Sequence, residues 1–164
     1  MTDYAAIKKI AIETDTQLEK LLFQRASLEA QRQDQRSRVY RAAGATKHFR
    51  SGQWSLTMEE AMQACPEHIV QDARAKLADL AASIGANEAL IDDLTETYRT
   101  YRWERAYLVL NGHVHRSTTC STCYPSTQFV WRTEYSGSTE QEIVEAAGEL
   151  ACTVCYPSAP VDVL

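Results

Sequence analysis

The sequence predicts a mainly α fold: a long antiparallel helical hairpin (a coiled coil), followed by a small α+β four-cysteine domain of the zinc-ribbon or treble-clef kind. Three observations carry this expectation. Residues 4–40 and 67–104 lack proline and carry apolar residues at alternating steps of three and four. From 106 onward the period changes to alternation, with β-branched and aromatic residues. Finally, "CSTCYPST" at 120–127 nearly recurs as "CTVCYPSA" at 152–159.

The first helix is expected over 4–40. Its stripe is Ile7, Ala11, Leu18, Leu21 and Leu28, with Thr14 and Arg25 also falling on it. Beyond Leu28 the segment "EAQRQDQRSRVYR" offers almost nothing to bury, so a helix there is expected to be solvated or to fray. Residues 41–56 hold two glycines and read as a loop. Thr57 and Glu60 then have capping-box spacing ahead of a short helix, "MEEAMQA". Pro66 closes that helix and suits the first position of the next.

The third helix is expected from about Pro66 to about Glu104. Leu77, Leu80, Ile84, Asn87, Ile91, Leu94, Tyr98 and Tyr101 form its seam, with Asn87 as the one polar, register-setting member. The heptad passes Gly85 without a skip, so no break is expected there. Two narrow stripes joined by a connection of this length bury most simply against each other. At about 1.5 Å per residue each arm would span roughly 50 Å. Self-association into a homodimer through the same stripes is the alternative.

After 106, "AYLVLNGHVHRS" reads as strand–turn–strand around Asn111-Gly112, and "TQFVWRTEY" as another strand. A capped helix of two to three turns follows, starting after Ser138 or Thr139, and "SAPVDVL" is a short tail. The expected domains are thus a helical hairpin over 1–105, with the loop and short helix at its tip (about 41–66), and a zinc-binding domain over 106–164.

Cys120-x2-Cys123-x28-Cys152-x2-Cys155 is a metal-ligand spacing. Each Cys-x-x-Cys turn places two thiolates on one side of a tight loop, and two such turns supply four sulfurs at tetrahedral angles. The repeated phrase is thereby two copies of one half-site. Tyr and Pro after each second cysteine are expected to shield and stiffen it. One structural Zn2+ is the expected cofactor, since a closed four-cysteine site leaves no coordination position for catalysis. His113 and His115 alternate along a strand and are expected on one face. Either, His115 first, is the alternative ligand or a hydrogen-bond partner of a cysteine sulfur. Cys65 and His68, in "CPEH", stand apart from this set.

Composition excludes several classes. With 45% hydrophobic and 24% charged residues the chain is not a disordered one. No apolar run reaches the roughly 18 residues of a membrane span, and "MTDYAAIKKIAIETD" lacks a signal-peptide layout. A cytoplasmic location is therefore expected. Enzyme signatures are missing too. There is no phosphate-cradling Gly-rich loop, no His-Glu-x-x-His, no deaminase His-x-Glu, and no His between the cysteine pairs. A non-enzymatic protein is expected.

Net charge is −5, unevenly spread. Residues 25–50 hold seven basic side chains and two acids, whereas 106–164 hold two basic and six acidic ones. Arg38, Arg41, Lys47, Arg50 and Trp54 are the candidate partner-binding residues. The stretch suits nucleic-acid backbone or an acidic protein surface.

The residues "NGHVHRSTTCSTCYP" followed by "ACTVCYPSAP" resemble the cysteine-rich C-terminal part of small, poorly characterised zinc-ribbon proteins of actinobacterial phages and their hosts. The resemblance covers roughly 105–160. It implies a zinc-binding domain, a phage or actinobacterial setting, the host cytoplasm and a host protein as partner, but no particular activity. The expected architecture is also similar to that of the DksA/TraR-type regulators, whose coiled-coil hairpin and zinc finger enter the RNA polymerase secondary channel. The chain departs from that family in its longer spacer and in the absence of any acid from 41–56.

Overall fold

The structure is a computed structural model that describes residues 3–160. The expected tail therefore lies mostly outside the described residues. Helices dominate: α1 (Tyr4–Ala42), α2 (Met58–Ala64), α3 (Glu67–Tyr101) and α4 (Glu140–Ala147). Strands β1 (Tyr107–Val109), β2 (Val114–His115) and β3 (Phe129–Trp131) form one antiparallel sheet in the order β2-β1-β3. No described helix is long and apolar enough to cross a membrane.

By its contacts the chain divides into two compact units, one of residues 1–20 with 92–164 and the other of 21–91. The boundary expected near 105 followed a change in sequence period; the units follow packing.

In the 21–91 unit, α1 ends sharply. Gly44 adopts φ +73°, its N–H bonds Arg41 O (3.0 Å), and Ala45 N–H bonds Tyr40 O (2.9 Å). These are the two hydrogen bonds of a Schellman stop, which needs a residue tolerant of positive φ. The last turns of α1 do not fray. Val39 and Tyr40 are buried with Ala61 and Ala73, and Ala43, Ala45, Trp54, Leu56, Met58, Met62 and Cys65 pack around them. This corrects the expectation that the segment beyond Leu28 has almost nothing to bury and is solvated or frays: Val39 and Tyr40 find partners in the loop and in α2, which no stripe on α1 alone could show. Trp54 stacks on Tyr40, with ring centroids 4.8 Å apart at 12°.

α2 starts as its sequence indicates. Thr57 Oγ1 accepts from Glu60 N, and the Glu60 carboxylate accepts from Thr57 N. The seam residues Leu21, Ile84 and Asn87 are buried. Asn87 Nδ2 donates to Leu21 O (3.2 Å), so the polar seam residue has a specific backbone partner. α3 passes Gly85 unbroken.

In the other unit, Ala11, Thr14, Asp15 and Leu18 of α1 are buried. Leu108 pairs with Val114 on one side of β1 and with Val130 on the other. The β1–β2 turn places Asn111 at φ +58°, as its Asn-Gly composition suits. Behind the sheet lies a core of Ala106, Val114, Ile143, Ala151, Tyr156 and Ala159. Ile143 comes from α4, which carries its own capping box between Thr139 and Glu142. Ala151 pairs with Val114 as a parallel bridge.

Candidate metal centre

β2 and the second Cys-x-x-Cys turn meet directly. Cys152 N–H donates to Val114 O (3.0 Å), fixing that turn against the residue before His115. Within each turn the backbone closes identically: Cys123 N–H to Cys120 O and Cys155 N–H to Cys152 O, both 3.0 Å. Such closure brings the two cysteines of a pair close together.

The consequence is a cluster of soft donors. One ligand atom each from His115, Cys120, Cys152 and Cys155 lie within 4.8 Å of one another, close enough to hold a metal ion. His115 is 2% exposed and Cys152 5%. Phe129 meets the His115 ring edge-on, at 6.2 Å and 88°. Cys123 stands outside that group of four but beside it, its Sγ 3.6 Å from His115 Nε2.

The thiols do not ionise alike. Burial raises the pKa of Cys120, but hydrogen bonds from the Thr122 hydroxyl and backbone, then from Cys155 and His115, outweigh it and bring it to about 6. Burial pushes Cys155 up to about 11, against a hydrogen bond from the Arg116 backbone N–H. Packed thiols behave so because the first thiolate raises the cost of the next. A divalent cation among them reverses that repulsion.

The two copies of the repeated phrase have different surroundings. Tyr156 is fully buried in the core, and burial pushes its hydroxyl pKa up. Tyr124, its counterpart, is 80% exposed. Shielding by the tyrosine, expected of both copies, is therefore confined to the second, because the α4 core covers only that one. His113 precedes β2 and is exposed where His115 is buried, and the two rings lie 6.4 Å apart, as one face requires. A cleft of about 540 Å³ opens beside the cluster, lined by His113, His115, Cys123, Tyr124 and Cys152 among others. Cys65 is elsewhere, its Sγ donating to Val39 O (3.4 Å), and His68 is exposed.

The basic candidates are partly self-neutralised. Arg38 and Arg41 share the Asp34 carboxylate, at 2.9 and 3.6 Å. Arg25 pairs with Glu88 and Arg32 with Glu29, both at 2.6 Å. Lys47 Nζ lies 5.8 Å from the Trp54 ring, an apolar partner for its stem and a π face for its charge. Arg36, Lys47 and Arg50 form no ion pair among the described residues. Trp54, a candidate contact residue by sequence, is half-buried against Tyr40.

Phe49, one of the aromatics interleaved in the basic stretch but not among the candidate contact residues by sequence, is 98% exposed. It sits on an ordered loop: Lys47 pairs with Trp54 across it, His48 N–H bonds Gln53 O (2.7 Å), and Ser51 N–H bonds His48 Nδ1 (3.2 Å). The available signal was "HFR", one large apolar residue between a histidine and an arginine in a glycine-bounded loop.

Comparison with protein-family models, curated proteins and solved structures finds no match for this chain.

Proposed function

We propose that this chain is a non-enzymatic interaction protein, in which one structural Zn2+ at the cysteine cluster staples the 106–160 segment and the loop around Phe49 engages a macromolecular partner. The observation that carries the reading is Phe49. A phenylalanine left 98% exposed contributes nothing to folding. Yet a buried cluster and a cross-loop ladder hold its loop in place. Fixed exposed aromatics flanked by cations are the composition of binding hot spots.

Zinc is the ion of choice because thiolate and imidazole donors select it over oxygen-preferring cations. Four protein donors complete its shell, so its role is structural, not catalytic. Part of the same reading is the antiparallel pairing of α1 with α3. The Leu21–Asn87 and Arg25–Glu88 contacts of the 21–91 unit support it. The partner is a host protein met in the host cytoplasm, the setting that the phage and actinobacterial resemblance suggests. A DksA/TraR-like polymerase regulator is the narrower version.

A second reading, nucleic-acid binding through 25–50, is favoured by Lys47 near the Trp54 ring and by Arg36, Lys47 and Arg50 forming no ion pair among the described residues. One experiment separates the two: a pull-down of tagged wild-type and Phe49→Ala protein from an actinobacterial lysate, with and without nuclease. A stoichiometric protein that survives nuclease and is lost with Phe49→Ala supports the first reading. Capture that vanishes with nuclease replaces it with the second. Capture that is indifferent to Phe49→Ala overturns the loop as the surface.

A further inference from the structure

The cluster holds more donors than a tetrahedral ion accepts. Cys120, Cys152 and Cys155 supply three sulfurs, His115 a nitrogen, and Cys123 waits beside them. With metal–sulfur bonds of about 2.3 Å and metal–nitrogen bonds of about 2.0–2.1 Å, neighbouring ligands of a tetrahedral site stand roughly 3.6 Å apart. Cys155 Sγ is 3.7 Å from His115 Nδ1, and Cys123 Sγ is 3.6 Å from Nε2 and 3.9 Å from Nδ1. Both sulfurs are therefore at ligand–ligand distance from the same ring.

We infer that the fourth position of the metal belongs to His115, with Cys123 as a reserve ligand able to take that position when the imidazole is absent. The inference rests on the metal reading above and concerns which atoms serve it. His115 holds the position because it is the pre-organised donor. It lies on β2 in register with Tyr107, is 2% exposed, and has Phe129 edge-on to its ring. Ligands fixed on strands and locked by packing bind with less ordering cost than ligands on surface loops. Cys123 is such a loop ligand: Thr122 and Tyr124 on either side are exposed. Its turn nevertheless closes as the Cys152–Cys155 turn does, and its sulfur lies 3.6 Å from His115 Nε2, beside the position that loss of the ring would open.

A chemical consequence follows. The resident shell has three thiolates and one neutral imidazole around a dication, a net charge of −1, and the reserve shell has four thiolates and a net charge of −2. In the resident state Cys123 borders the 540 Å³ cleft as a free thiol. It reacts with alkylating agents without expelling the metal, whereas alkylation of any of the other three cluster cysteines expels it.

The test uses the full chain loaded with Co2+, whose visible bands and sulfur-to-metal charge-transfer intensity distinguish three thiolates plus nitrogen from four thiolates. The wild type is expected to bind one equivalent with the three-thiolate spectrum. Cys123→Ser should keep that spectrum, with affinity within about tenfold. His115→Ala should retain one equivalent but move to the four-thiolate spectrum. The double variant should lose affinity by at least about 100-fold, the scale on which ligand shells matter. Native iodoacetamide labelling mapped by mass spectrometry needs no variant, and should modify Cys123 while the Co2+ bands persist. A four-thiolate spectrum in the wild type, or metal loss on labelling Cys123, overturns the reserve-ligand inference and leaves the metal reading standing. A wild type that binds no Co2+ or Zn2+ overturns both.

Discussion

Arg105 grips the fully buried carboxylate of Asp15 at two points, Nε to Oδ2 at 3.0 Å and Nη2 to Oδ1 at 2.6 Å. Trp103 Nε1 (2.8 Å) and Ser136 Oγ (2.6 Å) donate to Oδ2 as well. A carboxylate with that many donors has its desolvation offset by directed hydrogen bonds. The guanidinium in turn lies on the Tyr98 ring (3.5 Å) and near that of Trp131 (4.7 Å). One aspartate on α1 thereby organises residues from the end of α3 through the 3-10 turn after β3. Removing it leaves a half-buried cation and two donors without partners. Asp15→Ala is expected to destabilise by about 3–5 kcal/mol, the range for breaking a buried pair. Urea unfolding followed by tryptophan fluorescence reads this, and a loss under about 1 kcal/mol would show that the network is ornamental.

Gly137 makes the closest approach in the same unit. A Cβ there would sit 2.8 Å from Ala11 Cβ and 3.0 Å from Lys8 Cα, and its φ is +75°. Gly44 has nearly the same φ, +73°, with open space around it. The pair separates backbone strain from steric exclusion. Gly44→Ala should cost about 1–2 kcal/mol, the left-handed penalty for a residue with a Cβ. Gly137→Ala should cost that plus a further 1–3 kcal/mol of overpacking against the α1 backbone. Equal losses from the two, measured by thermal unfolding, would refute a close approach at Gly137.

Chelation provides a unit-specific readout. Metal-ligand energy is folding energy where a small core cannot suffice alone, and the core behind the sheet has six buried members among the described residues. Stripping the ion from holo-protein with a strong chelator should collapse the NMR signals of Val114, Ile143 and Tyr156. Val39, Tyr40 and Ala61, whose unit holds none of the cluster, should keep theirs. Loss of both sets together would mean that the units do not fold independently, and retention of both would remove the structural role of the metal.

Much of the architecture was written in periodicity. The seam residues Ala11, Thr14, Leu18 and Leu21 are buried in order, both capping boxes form, and Asn87 finds its backbone acceptor. Local signals of this type survive because they are settled within one helix or one turn. The cluster around Val39, Tyr40 and Trp54 was not legible, since each of its members reads as exposed on its own element and is buried only by the others. Asp15 was invisible for the same reason: its donors are 88, 90 and 121 residues away. At the candidate metal centre the spacing announced the cysteines, but it could not say that the identical tyrosines would part, because α4 arrives on one side only.

The Thr139–Glu142 capping box has an addition that makes it sensitive to acid. The Lys8 ammonium (2.8 Å) first, then the Tyr4 hydroxyl and the Thr139 N–H, hold the Glu142 pKa down at about 2 from an ordinary value of 4.5. All three stabilise the charged form, so the folded pKa lies below the unfolded one. The contribution is then fully present above about pH 4.5 and is lost as pH falls through about 2. Glu142→Gln should therefore be less stable than wild type by a constant amount from neutral pH down to about 5, with the two converging below that. Carbon-13 labelling of the glutamates should show one carboxyl titrating near 2, and that signal should disappear in the Gln variant. Because Lys8 and Tyr4 lie on α1, Lys8→Met should move the midpoint back toward 4.5. A midpoint unchanged by Lys8→Met would leave the Tyr4 and Thr139 hydrogen bonds as the cause.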